Sequence, residues 1–190
     1  MKKYLRPTDV IDWDERTVLR QAKILTRGCD DPISIAKTCF LFVRDEIFHS
    51  YDYKMNPVTL KASEVLRHKT GFCYSKSHLL AALLRANKIP CGLCYQRLSR
   101  DGNGPPFILH GLNTVFLPDI GWYRIDARGN NEEVTSEFDP PNERLAFEPR
   151  IEGEEDLPEI WDNPMPAVTE FLERYKNYDQ AYNNLPGIFE

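Results

Sequence analysis

Apolar residues recur at helical spacing through the first half of the chain and gather in short runs after residue 90. An amphipathic stretch from Asp14 to Leu25 predicts a first helix. A second helix is predicted to begin at Asp30-Asp31-Pro32, because acidic caps and a proline in the first turn favour a helix start. Its apolar residues follow at positions 33, 36, 40, 43 and 47. The pattern therefore predicts a helical N-terminal half.

A longer apolar stretch follows a loop predicted for residues 50–62 and a helical turn at 63–66. The segment Thr70-Gly71-Phe72-Cys73-Tyr74-Ser75 leads into Leu79–Leu84, where apolar side chains occur on nearly every side of a helix. Such a distribution predicts a buried central helix with Cys73 near its start. The segment Asn87-Lys88-Ile89-Pro90 ends this helix, since proline cannot continue it.

Three β-type runs come next, at Gly92–Leu98, Phe107–Leu117 and Trp122–Ala127. Turn residues at 100–106 separate the first two runs, and Pro118-Asp119-Ile120-Gly121 between the last two is typical of a hairpin. The runs predict an antiparallel sheet on which the central helix packs. The predicted fold class is therefore α+β.

The last third of the chain differs in composition from the rest. Residues 1–129 hold 20 basic and 13 acidic side chains, whereas residues 130–190 hold 4 and 16. Prolines at 140, 141, 149, 158, 164 and 166 predict extended, wrapping chain, followed by a helix at about Ala167–Tyr178. Because this segment is also rich in large apolar residues, Trp161 among them, we predict a core at 1–129 with 130–190 docked on the same domain. The sequence leaves open whether residues 130–166 cover a functional site.

At 190 residues, with 42% hydrophobic and 28% charged side chains, the chain has the makeup of one soluble globular domain. No apolar run approaches the length that spans a bilayer, and the basic residues near Met1 are not followed by the apolar stretch of a secretory signal. Five cysteines, at 29, 39, 73, 91 and 94, are odd in number and scattered, which disfavours a disulfide framework. These features predict a cytoplasmic protein with neither a membrane nor a nucleic acid as its partner.

Cys73 is the candidate nucleophile. The start of a helix presents unpaired backbone N–H groups and the positive end of the helix dipole, and both favour thiolate over thiol. His110 follows 37 residues later, and Asp126 another 16 residues on, in two runs that a hairpin would make adjacent. Asp126 could then orient one imidazole nitrogen while the other faces the thiol. Taken singly, the three also fit structural roles, as a core cysteine, a strand histidine and a turn aspartate.

An acyl-transfer site also needs donors for the oxyanion that forms on the substrate. The backbone N–H of Cys73 is one candidate. The loop His49-Ser50-Tyr51-Asp52-Tyr53 precedes the nucleophile and offers several candidates for a second donor. The sequence singles out none of them.

Three motifs carry a family resemblance: Thr70–Ser75 around the nucleophile, Leu83–Pro90 at the end of its helix, and Gly121–Asp126 after a histidine strand. With the segments at 43–47 and 62–66, they make the stretch from Phe42 to Arg128 resemble the core of the transglutaminase-like superfamily, a papain-related group. The resemblance implies a small single-domain member with the transglutaminase-like, cysteine-proteinase fold. It also implies a catalytic triad of Cys73, His110 and Asp126. One departure is Leu112, at a position where many relatives have an aromatic residue.

The resemblance further implies acyl transfer on an amide or peptide bond through a thioester at Cys73, with hydrolysis favoured over transfer to an amine. The expected partner is a peptide, protein or small amide substrate, and the oligomeric state is left open. No cofactor and no metal are expected. The chain is too short for the extra domains of the calcium-dependent animal transglutaminases, so no calcium requirement is expected either.

Two alternatives remain open. One is a non-catalytic binding module that keeps the transglutaminase-like fold. The other is a thiol redox protein that uses the C-x-x-C motif of Cys91 and Cys94. Structural roles are favoured for these two cysteines, because residues 91 and 94 of a strand point to opposite faces and no second motif completes a zinc site. His68 and His78 are given no functional role.

Overall fold

Residues 1–187 are those that this computed structural model describes, and they form helices packed on a four-stranded antiparallel sheet. The α-helices lie at Arg16–Leu25 (α1), Pro32–Glu46 (α2), Ala62–His68 (α3), Cys73–Ala86 (α4), Pro166–Arg174 (α5) and Tyr178–Asn183 (α6). The strands lie at Phe48–His49 (β1), Thr70–Gly71 (β2), Cys91–Ser99 (β3), Phe107–Leu117 (β4), Gly121–Ile125 (β5), Glu137–Asp139 (β6), Asn142–Arg144 (β7) and Glu155–Asp156 (β8). A short 3-10 helix at Lys2–Leu5 precedes α1.

The main sheet has the strand order β5-β4-β3-β8, and all of its pairs are antiparallel. Pairing of Gln96 with His110 and of Asn113 with Ile125 fixes its register. Two smaller pairs lie outside this sheet: β1 runs parallel to β2, and β6 forms a hairpin with β7. Helices packed on an antiparallel sheet confirm the predicted α+β fold class.

Helix α4 lies at the centre of the fold. Every residue from Cys73 to Arg85 is buried, and the helix packs against α1, α2 and α3 as well as β3 and β4. Arg85 is only 2% exposed and donates hydrogen bonds to the carbonyl oxygens of Arg6, Cys91 and Asp162. A charge that is taken out of water needs such partners. The helix is thus buried on all sides, as the apolar pattern predicts.

Capping residues account for several helix boundaries. Asp31 caps α2 by accepting two backbone hydrogen bonds of 2.9 and 3.0 Å, and Pro32 occupies the first turn. The C-terminal helical region differs from the expectation of one helix over Ala167–Tyr178, because α5 and α6 are separate. Tyr175 has extended backbone angles, and the side chain of Asn177 caps α6. The split follows from this second cap, since an asparagine that satisfies free N–H groups starts a new helix.

The acidic segment after residue 129 lies along the edge of the sheet. Strand β8 pairs with β3, and the backbone of Trp161 exchanges hydrogen bonds of 2.8 and 2.9 Å with that of Leu93. Arg124 of β5 binds the carboxylates of Glu143 and Asp156, each at 2.7 Å. The segment therefore adds strand β8 to the sheet and places two of its carboxylates against Arg124 of β5.

Helix α5 adds Phe171 and Leu172 to the main hydrophobic core. The division into a core at 1–129 and a docked segment at 130–190 stays a prediction, and residues 188–190 lie outside the part of the chain described above. Within residues 1–187, none of the helices combines the length and the apolar character needed to cross a membrane.

Candidate active site

Helix α4 begins at Cys73, two residues after the end of the short strand β2. The residue that precedes the helix, Phe72, has no polar side chain to cap it, so the first backbone N–H groups are not satisfied by a cap. Strand β2 approaches this first turn closely: a Cβ on Gly71 would lie 2.9 Å from the Cβ of Ser75. Only glycine fits this contact without a shift of the chain. The local sequence therefore places the Cys73 thiol at the positive end of a buried helix.

Two contacts hold strand β4 against the start of α4. The hydroxyl of Tyr74 donates to the carbonyl oxygen of Leu109. A Cβ on Gly111 would lie 2.8 Å from the ring of Tyr74, so the strand backbone and the tyrosine are in close contact. His110 lies between these two residues of β4. The residue after the nucleophile thus fixes the strand that carries the histidine.

His110 and Asp126 form a buried pair. Nε2 of His110 lies 2.7 Å from Oδ2 of Asp126, and the two residues are 5% and 1% exposed. Asp126 also accepts backbone hydrogen bonds from Arg128 at 3.0 Å and Ala146 at 3.2 Å. Burial alone would raise the pKa of Asp126, but His110 and these N–H groups hold it below its ordinary value. The carboxylate is therefore ionised, and it orients the imidazole.

Cys73 and His110 interact with each other, and each shifts the pKa of the other. Burial opposes both charges, yet the mutual attraction of the two groups lowers the pKa of Cys73 to about 6. Burial would likewise lower the pKa of His110, but Asp126 and Cys73 raise it to about 10. The structure thus brings Cys73, His110 and Asp126 together as a thiolate–imidazolium pair with an orienting carboxylate.

A second histidine, His49, also reaches the sulfur. It lies on β1, which pairs with β2 shortly before Cys73, and its side chain contributes to the lowered pKa of Cys73. Its ring packs edge-to-face on Phe72, with centroids 5.8 Å apart. His49 is 8% exposed. The loop at 49–53 was a predicted source of a further site residue, but nothing in the sequence pointed to His49 itself.

Asp52 and Arg128 support His49. Nδ1 of His49 lies 3.3 Å from Oδ1 of Asp52. Arg128 binds both oxygens of that carboxylate, at 2.7 and 2.9 Å. Burial would raise the pKa of Asp52, but His49 and Arg128 together hold it well below its usual range. Because the backbone N–H of Arg128 also donates to Asp126, this arginine links the two histidine–aspartate pairs.

The acidic segment covers the far side of His110. The ring of Phe147 meets the imidazole edge-to-face, with centroids 4.9 Å apart and planes at 83°. The backbone carbonyl oxygen of Phe147 accepts a hydrogen bond from Nε2 of Gln96, the cross-strand partner of His110. Cys73 itself is 9% exposed, so only a narrow approach leads to the sulfur. Part of the region whose role the sequence left open, residues 130–166, therefore does contact His110, a member of the predicted triad.

A cavity of about 170 Å³ adjoins the site at His49 and Asp52. Lys76, one turn after Cys73, reaches its wall and donates to the carbonyl oxygens of Ile47 and Arg44. Burial, with a smaller effect of nearby Arg128, lowers the pKa of Lys76 to about 7. Cys73 and His110 lie outside the lining of this cavity.

The remaining sulfur and imidazole groups lie away from the triad. Cys91 and Cys94 are buried, unpaired thiols, and burial raises the pKa of each to about 12. His78 is buried beside the carbonyl oxygen of Leu60, and burial lowers its pKa to about 4. His68 lies at the end of α3. Among the residues that the structure describes, no group of histidine, cysteine and acidic side chains is arranged to hold a metal ion.

Comparison with solved structures identifies the architecture. A candidate cysteine protease from Cytophaga hutchinsonii superposes with a TM-score of 0.54 at 18% identity, over 66% of this chain and 40% of that one. The periplasmic domain of TgpA from Pseudomonas aeruginosa gives 0.47 at 19% identity, over 65% and 45%. Red sea bream transglutaminase gives 0.47 at 13% identity, over 62% and 27%. The first likeness shows a shared fold.

The chain thus spans less than half of the length of these solved structures. No curated protein matches it. The family model of the transglutaminase-like superfamily, whose members include cysteine proteases and transglutaminases, matches residues 20–127, which is more than half of the chain and includes all three triad positions. The predicted resemblance is confirmed: the chain belongs to the transglutaminase-like superfamily.

Proposed function

We propose that the protein is a cysteine-dependent enzyme that breaks an amide or peptide bond through a thioester at Cys73, and that water is the usual acceptor. The observation that carries this proposal is the placement of Cys73 at the start of a buried helix, together with His110, whose imidazole lies 2.7 Å from the buried carboxylate of Asp126. In these surroundings the pKa of Cys73 is lowered to about 6 and that of His110 is raised to about 10. At neutral pH the sulfur is therefore the ionised, nucleophilic form. A cytoplasmic location belongs to the same proposal and rests on the scattered cysteines.

In the first half of the reaction, the thiolate of Cys73 attacks the carbonyl carbon of the substrate and forms a carbon–sulfur bond. As the tetrahedral intermediate collapses, the carbon–nitrogen bond breaks, and the protonated His110 gives its proton to the departing amine. The product of this half is an acyl group held as a thioester and a neutral His110. Asp126 keeps the ring in the orientation that both steps need.

In the second half, neutral His110 takes a proton from a water molecule as that water attacks the thioester. The carbon–sulfur bond breaks, a carboxylic acid leaves, and the thiolate–imidazolium pair is restored. An amine could replace the water. The narrow approach to Cys73, which is 9% exposed, favours the small acceptor over a bulky amine.

Two donors can hold the oxyanion of the intermediate. One is the backbone N–H of Cys73 at the helix start, which lacks a side-chain cap. The other is His49, because a ring close enough to the sulfur to lower the pKa of Cys73 is also close to the carbonyl group that bonds to that sulfur. Asp52 and Arg128 fix the position of the ring. This assignment fills the role for which the sequence alone named only a loop.

The proposal is tested with a small set of peptide p-nitroanilides and p-nitrophenyl esters, followed by intact-protein mass spectrometry. We expect a mass increase equal to the acyl group, located on Cys73 and released by hydroxylamine, together with turnover that is lost in Cys73→Ala. Cys94→Ala is the matched control, since it removes a buried thiol away from the triad. A Cys73→Ala variant that turns over as fast as the wild type would overturn the proposal.

The choice between water and an amine is tested with the same acyl-enzyme. Glycine methyl ester and a lysine-containing peptide are added as acceptors, and the acid and amide products are separated by chromatography. We expect the acid to dominate at millimolar acceptor. Predominant amide formation would assign the enzyme to amine transfer instead.

A further inference from the structure

The end of the described chain reaches the centre of the proposed active site. Leu109, the residue before His110, accepts through its carbonyl oxygen from Tyr74, the residue after Cys73. The N–H of the same leucine donates to the carbonyl oxygen of Pro186, at 2.8 Å. The backbone of Pro186 is therefore hydrogen-bonded to Leu109, which precedes His110 in the sequence. Leu109 also contacts Tyr74, the residue that follows Cys73.

This contact uses an open edge of the sheet. Strand β3 pairs with β4 along residues 107–115, whereas β5 pairs with β4 only from Asn113 onward. On the β5 side, residues 107–111 have no neighbouring strand within the described part of the chain. Tyr74 occupies the Leu109 carbonyl oxygen and packs on Gly111 at this edge, and the Leu109 N–H is bound by a segment from outside the sheet.

Tyr182 ties the same segment to both rims of the site. Its ring stacks on that of Tyr51, with centroids 3.5 Å apart and planes at 13°. The guanidinium of Arg100 lies over the Tyr182 ring, 5.1 Å from its centroid. Arg100 also donates a hydrogen bond to the Tyr182 carbonyl oxygen at 3.3 Å. Tyr51 belongs to the loop that follows His49, and Arg100 to the connection between β3 and β4. The segment at 182–186 thus spans from the loop beside His49 to the strand of His110.

We infer that the Leu109 backbone, Tyr51 and Arg100 form the binding site for a peptide that carries an aromatic side chain, and that residues 182–187, which run from the end of helix α6 into the following coil, are its resident occupant. The inference rests on the proposed function and names the substrate class of that same site. The recognised peptide stacks an aromatic ring on Tyr51 and, four residues later, accepts a hydrogen bond from Leu109. The segment Tyr182-Asn183-Asn184-Leu185-Pro186-Gly187 has no charged side chain, so a peptide without charged side chains matches it.

The test uses full-length protein and measures the rate at which iodoacetamide alkylates Cys73, with peptide mapping to identify the modified thiol. Tyr182→Ala weakens the occupant, and Tyr51→Ala weakens the site. Tyr175→Ala is the matched control, because this tyrosine packs on Phe171 of α5 and not on either rim. Each protein is measured alone and with a synthetic peptide of residues 178–187 at millimolar concentration.

We expect both rim variants to react about 5- to 10-fold faster than the wild type, the ratio that loss of one stacked aromatic pair produces. The added peptide should return Tyr182→Ala to the wild-type rate and leave Tyr51→Ala fast. A peptide with alanine at its second tyrosine should not protect. Tyr175→Ala should react at the wild-type rate.

Wild-type rates in both rim variants, or a peptide that fails to protect Tyr182→Ala, would overturn the inference and leave the segment a purely structural closure. Should Tyr182→Ala fail to fold, Tyr182→Leu keeps the apolar bulk without the stacked ring, and the same outcomes decide. Neither alkylation nor protection requires turnover. Failure of the proposed function would therefore show separately, as a missing acyl-enzyme with peptide protection intact.

Discussion

Cys73 lies between two histidine–aspartate pairs that contain the same residue types and differ in their surroundings. In the His110–Asp126 pair, the carboxylate is 1% exposed and its other partners are backbone N–H groups. In the His49–Asp52 pair, both carboxylate oxygens are bound by the guanidinium of Arg128. The imidazole–carboxylate distance is also longer, 3.3 Å against 2.7 Å.

This difference suits the two histidines to different roles in the proposed mechanism. Neutral N–H groups leave the negative charge of Asp126 available to its imidazole, so the pKa of His110 rises, and in the proposed mechanism the ring carries a proton to the leaving amine. In the other pair, Arg128 binds both oxygens of Asp52, so the carboxylate beside His49 is shared with a guanidinium.

Among the changes that test this difference between the two pairs, a substitution of Asp126 should have the largest effect. Asp126→Asn should lower kcat by about 10²- to 10⁴-fold, because the amide offers an N–H where the ring needs an acceptor and favours the wrong tautomer. Steady-state kinetics with the best p-nitroanilide substrate measures this loss. Circular dichroism should show an unchanged fold, and an unaltered kcat in the folded variant would show that another group orients His110.

His49→Ala should have the next largest effect, a fall in kcat of about 10²-fold with little change in KM, since a donor to the oxyanion acts only in the transition state. His49→Gln retains an N–H donor and should recover part of the loss. Equal activity of His49→Ala and the wild type would remove His49 from the proposed mechanism. A rise in KM alone would assign it to substrate binding.

Asp52→Asn should cost less, about 3- to 10-fold in kcat, because Asp52 acts through the position of His49 and touches no reacting atom. The double variant Asp52→Asn with His49→Ala should be no slower than His49→Ala alone. Additive losses in this cycle would show that Asp52 has a separate role. The contrast between Asp52→Asn and Asp126→Asn measures directly how unequal the two pairs are.

The smallest expected effect is on the pH profile. For the wild type, kcat/KM should rise as Cys73 loses its proton, through pH about 6, and fall as His110 loses its proton, through pH about 10. Because His49 contributes to the low pKa of Cys73, His49→Gln should move the acid limb upward and leave the alkaline limb in place. A shift of the alkaline limb instead would exchange the roles of the two histidines.

The sequence predicted those parts of the fold and site that depend on local patterns. The buried helix from Cys73, strand β4 at Phe107–Leu117 and the hairpin after it follow from side-chain periodicity and turn residues. His49 was not identifiable in this way, because its contact with Cys73 arises from a two-residue parallel pairing of β1 with β2. Such a short pairing leaves no periodic signal.

The course of the acidic segment was predicted only in outline. Its prolines and apolar residues indicated extended chain that docks, and its β8 pairing and the contact of Phe147 with His110 depend on positions far apart in sequence. The separate helices α5 and α6 were missed, although Asn177 is a recognisable cap. The capping signal at Asn177 was present in the sequence, but the prediction relied on the apolar spacing that continues across it.

The two close approaches at Gly71 and Gly111 have a consequence for how the proposed enzyme could acquire new substrates. Both positions exclude even one methyl group, since a Cβ would lie within 3.0 Å of α4 side-chain atoms. Directed evolution should therefore accept changes at Tyr51, Arg100 and Phe147, which border the site, while it rejects every replacement of these glycines. The specificity of the scaffold is open to variation, and the placement of its chemistry is not.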